Sequence, residues 1–185
     1  MKQAERSLEE LLVLRAQAGD SRALDQLVRL RGPRLLVHAM RLSGRAEDAR
    51  DIVQEAWIEI LRGLHGLREA RAFAAWATRI VTRRAARFVR GNVARRALSA
   101  AVSVETETSM PDVGEAASDA RAVRKAMSSL PPDQAATIAL FYLEDMSVAE
   151  VAIALDIPRG TVKTRLMHAR AKLKDALKGA CDEQT

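Results

Sequence analysis

The side chains of this sequence that could do chemistry are suited to recognition, and none of them assemble into a reaction centre. His38, His65 and His168 are the only histidines, are scattered, and Cys181 is the single cysteine, so no spacing suits a clustered metal set. Tyr142 is the only tyrosine and lies in an apolar stretch beside Phe141, a poor setting for a nucleophile. Neither an enzymatic role nor a cofactor is therefore expected. Charge at helical spacing is what the chain offers instead. Arg79, Arg83, Arg87 and Arg90 are spaced to line one side of a helix, with Ala77, Ile80, Val81, Ala85 and Phe88 on the other. Seven arginines fall between Arg79 and Arg96 with no acid among them, so mutual repulsion calls for a partner. A solvated face is the usual meaning of a charge run. A phosphate track, each contact of which would release counterions and steepen the salt dependence, fits this one better.

A second basic surface lies in Ser147–Leu173. Ser147 and Glu150 have capping-box spacing, and Val148, Val151, Ala152 and Leu155 follow at helical spacing. Asp156-Ile157-Pro158 then interrupts, because proline cannot continue the helix and restricts the residue before it. A second helix resumes near Gly160 with Val162, Leu166, Ala169 and Leu173 on one face, leaving Arg159, Lys163, Thr164, Arg165 and His168 largely off it. Two short helices, a tight turn and a basic second helix make a helix-turn-helix, whose second helix can enter the major groove. The rival is an ordinary helical hairpin with a solvated basic face; the agreement of cap, break and polar face favours the DNA reader.

The elements that must position these surfaces are all helical. Glycine and proline are few, and long Ala/Leu/Arg/Glu-rich segments predict an all-α fold. Helices are expected over residues 7–17, 21–42 (bent near Gly32-Pro33), 46–64 and 72–89 or beyond, with a loop at His65–Arg71. The 46–64 helix should turn Val53, Ala56, Trp57, Ile60 and Leu64 inward. A last block starts at about Ala120, and within it Leu130-Pro131-Pro132-Asp133 opens a helix to Leu143.

Charge divides the chain the same way. Residues 1–97 carry 20 Lys+Arg against 11 Asp+Glu, residues 98–120 carry five acids and no base, and residues 121–185 carry 10 against 8. A basic body broken by an acidic strip suggests a polyanion-binding protein with a separate connector. The division is 1–97, a flexible acidic linker at 98–119, and a helix-turn-helix domain at 120–185. No apolar run is long enough to span a membrane and the N-terminus lacks a signal-peptide core, so a cytoplasmic protein is expected. No further regulatory domain is expected from the few residues after Leu177. One more surface stays open at this point: Asp51, Glu55 and Glu59 line an acidic edge that would repel DNA, and composition does not choose between solvent and a protein partner.

Four stretches together resemble a known family. Asp48–Trp57, DARDIVQEAW, is similar to D-A-E-D-L-V-Q-E-V-F of the extracytoplasmic-function (ECF) sigma factors of bacterial RNA polymerase, in the sigma-70 family. LRAQAGDSRALDQLV resembles that family's R-x-x-x-G-D-x-x-A-x-x-x-L, and AFAAWATRIV its F-x-x-W-L-x-R-I-A. The last block from Leu130 to Leu173 resembles its region 4, ending in G-T-V-K-(S/T)-R-L. G-T-V-K-T-R-L alone would fit other helix-turn-helix regulators; with D-I-V-Q-E it is specific.

The resemblance implies that the chain binds core RNA polymerase and directs promoter-specific initiation. Asp51, Gln54 and Glu55 match the positions that dock on the polymerase β′ coiled coil. The loop His65–Arg71 falls where the family captures a flipped base of the −10 element, placing His65, Arg68 and Glu69 near it. Arg79, Arg83, Arg87 and Arg90 follow, on the helix that contacts −10 phosphates. Here the chain departs from pattern, because Arg83 and Arg87 stand where the family often has Asn and Asp. Trp57, Phe73 and Trp76 are expected to pack rather than stack on bases. In the second domain, Lys163, Thr164, Met167 and His168 match groove-facing positions for the −35 element, with Arg159 and Thr161 at the helix start suited to phosphates. The family often has Arg at His168, so a charged contact is lost there. The acidic linker would thread the polymerase toward its active centre and RNA exit path. Promoter DNA, core polymerase and an anti-sigma factor are the expected partners. A stand-alone operator-binding regulator is the alternative, but such proteins usually dimerise and no heptad seam is present.

Overall fold

The structure, a computed structural model, describes the backbone of residues 2–98 and 126–182 and the side chains of residues 3–91 and 126–176. Its described residues are helical throughout, with no strand among them, and fall into two units. The expected acidic linker, apart from Leu98 at the end of a helix, lies outside the described residues.

The first unit contains α1 (Lys2–Gln17), α2 (Ser21–Ser43), α3 (Ala46–Gly63), two short 3-10 turns (Leu64–Gly66 and Ala70–Ala72) and α4 (Phe73–Leu98). Helix α1 begins five residues earlier than periodicity predicts. Ion pairs to the neighbouring helix hold it: Glu5 meets Arg34, and Glu9 accepts two bonds from Arg31 at 2.6 and 2.7 Å in a site shielded from water. A buried pair of this kind fixes registry, and losing one partner would strand the other charge. The turn from α1 to α2 is set by Gly19, whose φ of 91° is left-handed, and by Asp20. The Asp20 carboxylate accepts from the Arg22 and Ala23 amides, capping α2. The Ala23 amide first, and then Arg15, hold its pKa below the usual carboxylate value.

Pro33 does not end α2, which continues from Ser21 to Ser43 and closes on Gly44 at φ 77°. The helix accommodates the missing amide because its core face is anchored on both sides, by Leu27 and Arg31 before the proline and Leu35, His38 and Ala39 after it. The shared core joins that face to Val13 of α1, Ile52, Ala56 and Ile60 of α3, and Phe73, Ala77 and Val81 of α4. Trp57, Trp76 and Phe88 pack at its edge and Phe73 lies wholly inside, as expected of packing aromatics.

His38 is the polar exception in this core. Its Nε2 lies 2.9 Å from the Thr82 hydroxyl of α4, which itself donates to the Thr78 carbonyl at 3.0 Å. With the threonine proton directed at a carbonyl, the tautomer protonated on Nε2 suits this contact, and Nδ1 is buried with no partner among the described residues. Burial, reinforced by Arg41, pushes its pKa down to about 3. Neutral imidazole is the form that ties α2 to α4.

Residues 126–128 are helical and lead into α5 (Pro132–Tyr142), α6 (Val148–Leu155) and α7 (Arg159–Asp182), which apart from Ile153–Leu155 belong to the second unit. Pro132 sits in the first turn of α5, where its missing amide costs nothing. Six consecutive residues from Ala135 to Leu140 are buried, so α5 is a core helix surrounded by its neighbours rather than amphipathic. Asp145 takes the left-handed conformation (φ 55°) in the turn that follows.

Candidate nucleic-acid interface

The helix-turn-helix forms as its sequence requires. The Ser147 amide donates to the Glu150 carboxylate at 2.7 Å, and the Glu150 amide donates to the Ser147 hydroxyl at 3.2 Å. That reciprocal capping box starts α6. The helix stops at Asp156, which adopts φ 57°. There Asp156 N–H bonds the Ile153 carbonyl at 3.2 Å and Ile157 N–H the Ala152 carbonyl at 3.1 Å. These two bonds are a Schellman closure, made with aspartate where glycine is usual. Pro158 then clears the way for α7.

Along α7, Val162, Leu166 and Ala169 are buried, while Lys163, Thr164, Met167 and His168 are exposed. Arg159 is exposed and Thr161 half-buried at the helix start, where free backbone amides favour anions. Thr164 bonds its own helix at the Gly160 carbonyl, 3.1 Å away, which holds its hydroxyl near the surface. Arg165, for which residue type allowed two roles, pairs with Asp133 of α5 at 3.1 Å and is drawn to the unit's interior side. Met167 is 58 % exposed, an apolar side chain available to a thymine methyl or another apolar contact.

In the first unit, Arg79, Arg83, Arg87 and Arg90 are all exposed on α4, while Ala77, Ile80, Val81 and Ala85 turn inward. Arg84 lies between them in sequence but on a different side. It reaches back to α3, pairing with Glu55 and with Glu59 at 2.9 Å. Sequence spacing did not reveal this arginine, because the acids that balance it are 25 and 29 residues away. The acidic edge is thus anchored at its centre. Asp51 and Gln54 are exposed beside it, and Ile58 and Leu61, 45 % and 40 % exposed, continue the same face at helical spacing. A mixed acidic and apolar helix face is a surface for protein rather than for DNA.

Between α3 and α4, His65, Arg68 and Glu69 are all exposed, with Glu69 and Arg71 forming a surface pair at 3.2 Å. Beneath them the backbone is tightly seated. A Cβ on Gly63 would meet Trp76 Cζ2 at 2.9 Å, so glycine is required for the loop to lie against the indole. From the other side, Gln17 bonds the Leu64 and Leu67 carbonyls. Gly63 and Gln17 are further residues that the motifs did not single out. The second lies in the stretch matching R-x-x-x-G-D, and only its tertiary partner distinguishes it from any polar helix end.

No helix among the described residues is long and apolar enough to cross a membrane, and they hold no cluster of metal-ligating side chains. Comparison with known proteins matches residues 27–95 to Sigma-70 region 2 and residues 120–173 to Sigma-70 region 4. The ECF RNA polymerase sigma factor SigM of Mycobacterium tuberculosis is 35% identical over 170 residues, covering 91% of this chain and 84% of that protein. The ECF RNA polymerase sigma-E factor of Escherichia coli is 30% identical over 178 residues, covering 90% and 93%. Among solved structures, CnrH in complex with the cytosolic domain of CnrY is 25% identical with a TM-score of 0.63, covering 93% of this chain and 98% of that one. The sigma factor RpoE bound to the anti-sigma factor NepR of Bartonella quintana shares the fold, with a TM-score of 0.71 at 24% identity over 84% of this chain and 96% of that one. By its two regions, its relatives and its helical architecture, the chain belongs to the ECF sigma factors of the sigma-70 family, which direct RNA polymerase to promoters and are not enzymes.

Proposed function

We propose that this sigma factor divides its work among three surfaces. The α3 face of Asp51, Gln54 and Glu55, extended by Ile58 and Leu61, docks on the β′ coiled coil of core polymerase. His65, Arg68 and Glu69 receive an extruded base of the −10 element, and Arg79, Arg83, Arg87 and Arg90 hold its phosphates. In the second unit, Lys163, Thr164, Met167 and His168 read the −35 element while Arg159 and Thr161 position its backbone. The domain limits are 1–97 and 120–185, with the acidic connector 98–119 threading the polymerase. The protein acts in the cytoplasm, where polymerase is, and an anti-sigma factor holds it off promoters, as the NepR and CnrY complexes of its structural neighbours suggest.

The observation that carries this assignment is the segregation of charge within one helical unit. The acids of α3 gather with exposed apolar residues, while the exposed arginines of α4 stand without an acid on their own helix. A polyanion cannot use the first, and a protein-binding coiled coil has no need of the second. The test is reconstitution with core RNA polymerase, using in vitro transcription from promoters randomised across both elements. Gln54→Ala with Glu55→Ala should weaken core binding by about tenfold or more, because an interface of this kind depends on a few central contacts. Lys163→Ala should erode −35 selection by ~10–100-fold at one base position and leave core affinity intact. Equal loss of core binding in both variants would contradict the division of roles. Tight binding to duplex DNA by the free chain, with no association with core enzyme, would favour a stand-alone regulator.

A further inference from the structure

We infer that Gln17, outside every surface so far assigned, is a positioning residue for the −10 loop; the inference rests on the reading of that loop given above. Gln17 is the last residue of α1. Its carboxamide nitrogen has two protons, and both are used: one goes to the Leu64 carbonyl and one to the Leu67 carbonyl, each at 2.8 Å. These acceptors lie 47 and 50 residues further along the chain, on either side of His65 and immediately before Arg68. The Leu64 carbonyl also accepts from the Leu67 amide at 3.1 Å, which closes the 3-10 turn. Carbonyls at the end of α3 would otherwise lack intrahelical partners. One side chain therefore satisfies the helix end and clamps the loop.

Opposite the clamp, Gly63 rests on the Trp76 ring with no room for a Cβ. The backbone of residues 64–67 is thereby bonded to α1 and follows directly on the glycine seated against the indole. His65, Arg68 and Glu69 project from it into solvent. A pocket that captures an extruded base gains most when its frame is ordered beforehand, since the ordering entropy is not then charged to binding. Gln17 supplies that order without reaching the surface where the base would lie.

The test compares the full chain with Gln17→Met, which keeps the volume and removes both donors. Each variant is assembled with core RNA polymerase and assayed by transcription from promoters randomised at the −10 and −35 elements. The expected result is a loss of −10 discrimination of about tenfold, the equivalent of two ordinary hydrogen bonds. Discrimination at −35 and core affinity should stay unchanged. Amide exchange at Leu67 should accelerate by a similar factor while Ile60 and Val81 keep their protection. If Gln17→Met fails to fold, Gln17→Asn, one methylene too short to reach both carbonyls, takes its place. Unchanged −10 discrimination in Gln17→Met, with discrimination lost in Arg68→Ala and Glu69→Ala, would overturn the inference and spare the loop assignment. Unchanged discrimination in all three would overturn the loop assignment itself. Parallel loss at −10, −35 and core binding would reduce Gln17 to a general structural role and also defeat the proposal.

Discussion

The arginine face of α4 and the outer face of α7 are both basic, yet they are built for different tasks. Arg79, Arg83, Arg87 and Arg90 repeat one side chain along a helix, with little variation from turn to turn. The exposed face of α7 instead mixes an ammonium, a hydroxyl, a thioether and an imidazole in Lys163, Thr164, Met167 and His168. A uniform arginine track suits phosphates, which look alike at every step. A varied face suits base edges, which do not. The supports differ as well. Helix α4 is tied to α2 through buried His38 and to α3 through Arg84, whereas α7 rests on an apolar face and is tied to α5 near the surface, by Arg165 with Asp133 and by Arg170, which donates to the Tyr142 hydroxyl at 2.9 Å. The arginine face of α4 thus stands on a helix braced by buried and charged polar contacts, and the varied face of α7 on one seated mainly by apolar packing.

Acid should break this comparison most strongly. His38 has a folded pKa of about 3 against 6.5 when unfolded, so the unfolded chain binds the extra proton and stability falls as pH drops below 6.5. At pH 5 this group alone should cost about 2 kcal/mol relative to neutral pH. The loss should fall on the first unit, whose core holds His38. Native-state hydrogen exchange between pH 7 and 5 should show protection of Ile52 and Val81 falling ahead of Val151 and Val162. His38→Gln, which can still donate to Thr82, should flatten that dependence.

A smaller effect should sharpen the contrast between charge and code. Arg83→Ala with Arg87→Ala should weaken promoter binding by holoenzyme for all −10 sequences alike. The slope of log affinity against log salt should become shallower by about 1.4, for two contacts to single-stranded phosphates. A change in preferred −10 sequence without a change in slope would place these arginines at base edges instead. The smallest effect is expected at His168. His168→Arg should steepen the salt slope by about 0.9, adding one duplex phosphate or base-edge cation, and raise affinity severalfold. Titrating −35 duplex affinity of the holoenzyme against salt measures it. An unchanged slope would show that position 168 faces away from DNA.

Much of the architecture was legible because its causes are local. Ser147 and Glu150 are three residues apart, Asp156-Ile157-Pro158 stops a helix by its own geometry, and the apolar spacing of Val53, Ala56, Ile60 and Leu64 names a buried face. One expectation needed revision for a reason no local pattern holds. Helix α1 extends back to Lys2 because Glu5 and Glu9 find arginines on α2, while α2 runs through Pro33 as one helix, as expected. Arg165 was undecided until Asp133 stood beside it.

The candidate surfaces divide along the same line. Periodicity alone puts Arg79, Arg83, Arg87 and Arg90 on one side of a helix and Lys163, Thr164, Met167 and His168 on one side of another, since 3.6 residues per turn is a property of the backbone. Which charges are compensated is not. Glu55 and Glu59 belong to an acidic edge in the sequence but share Arg84 in the folded unit, and Gln17 meets the loop only after α1 has packed beside it. Such pairings depend on where helices lie against one another, a choice made by the whole core from Val13 to Val81. Helix faces follow from neighbours in sequence, and the positioning of the loop between α3 and α4 follows from neighbours in space.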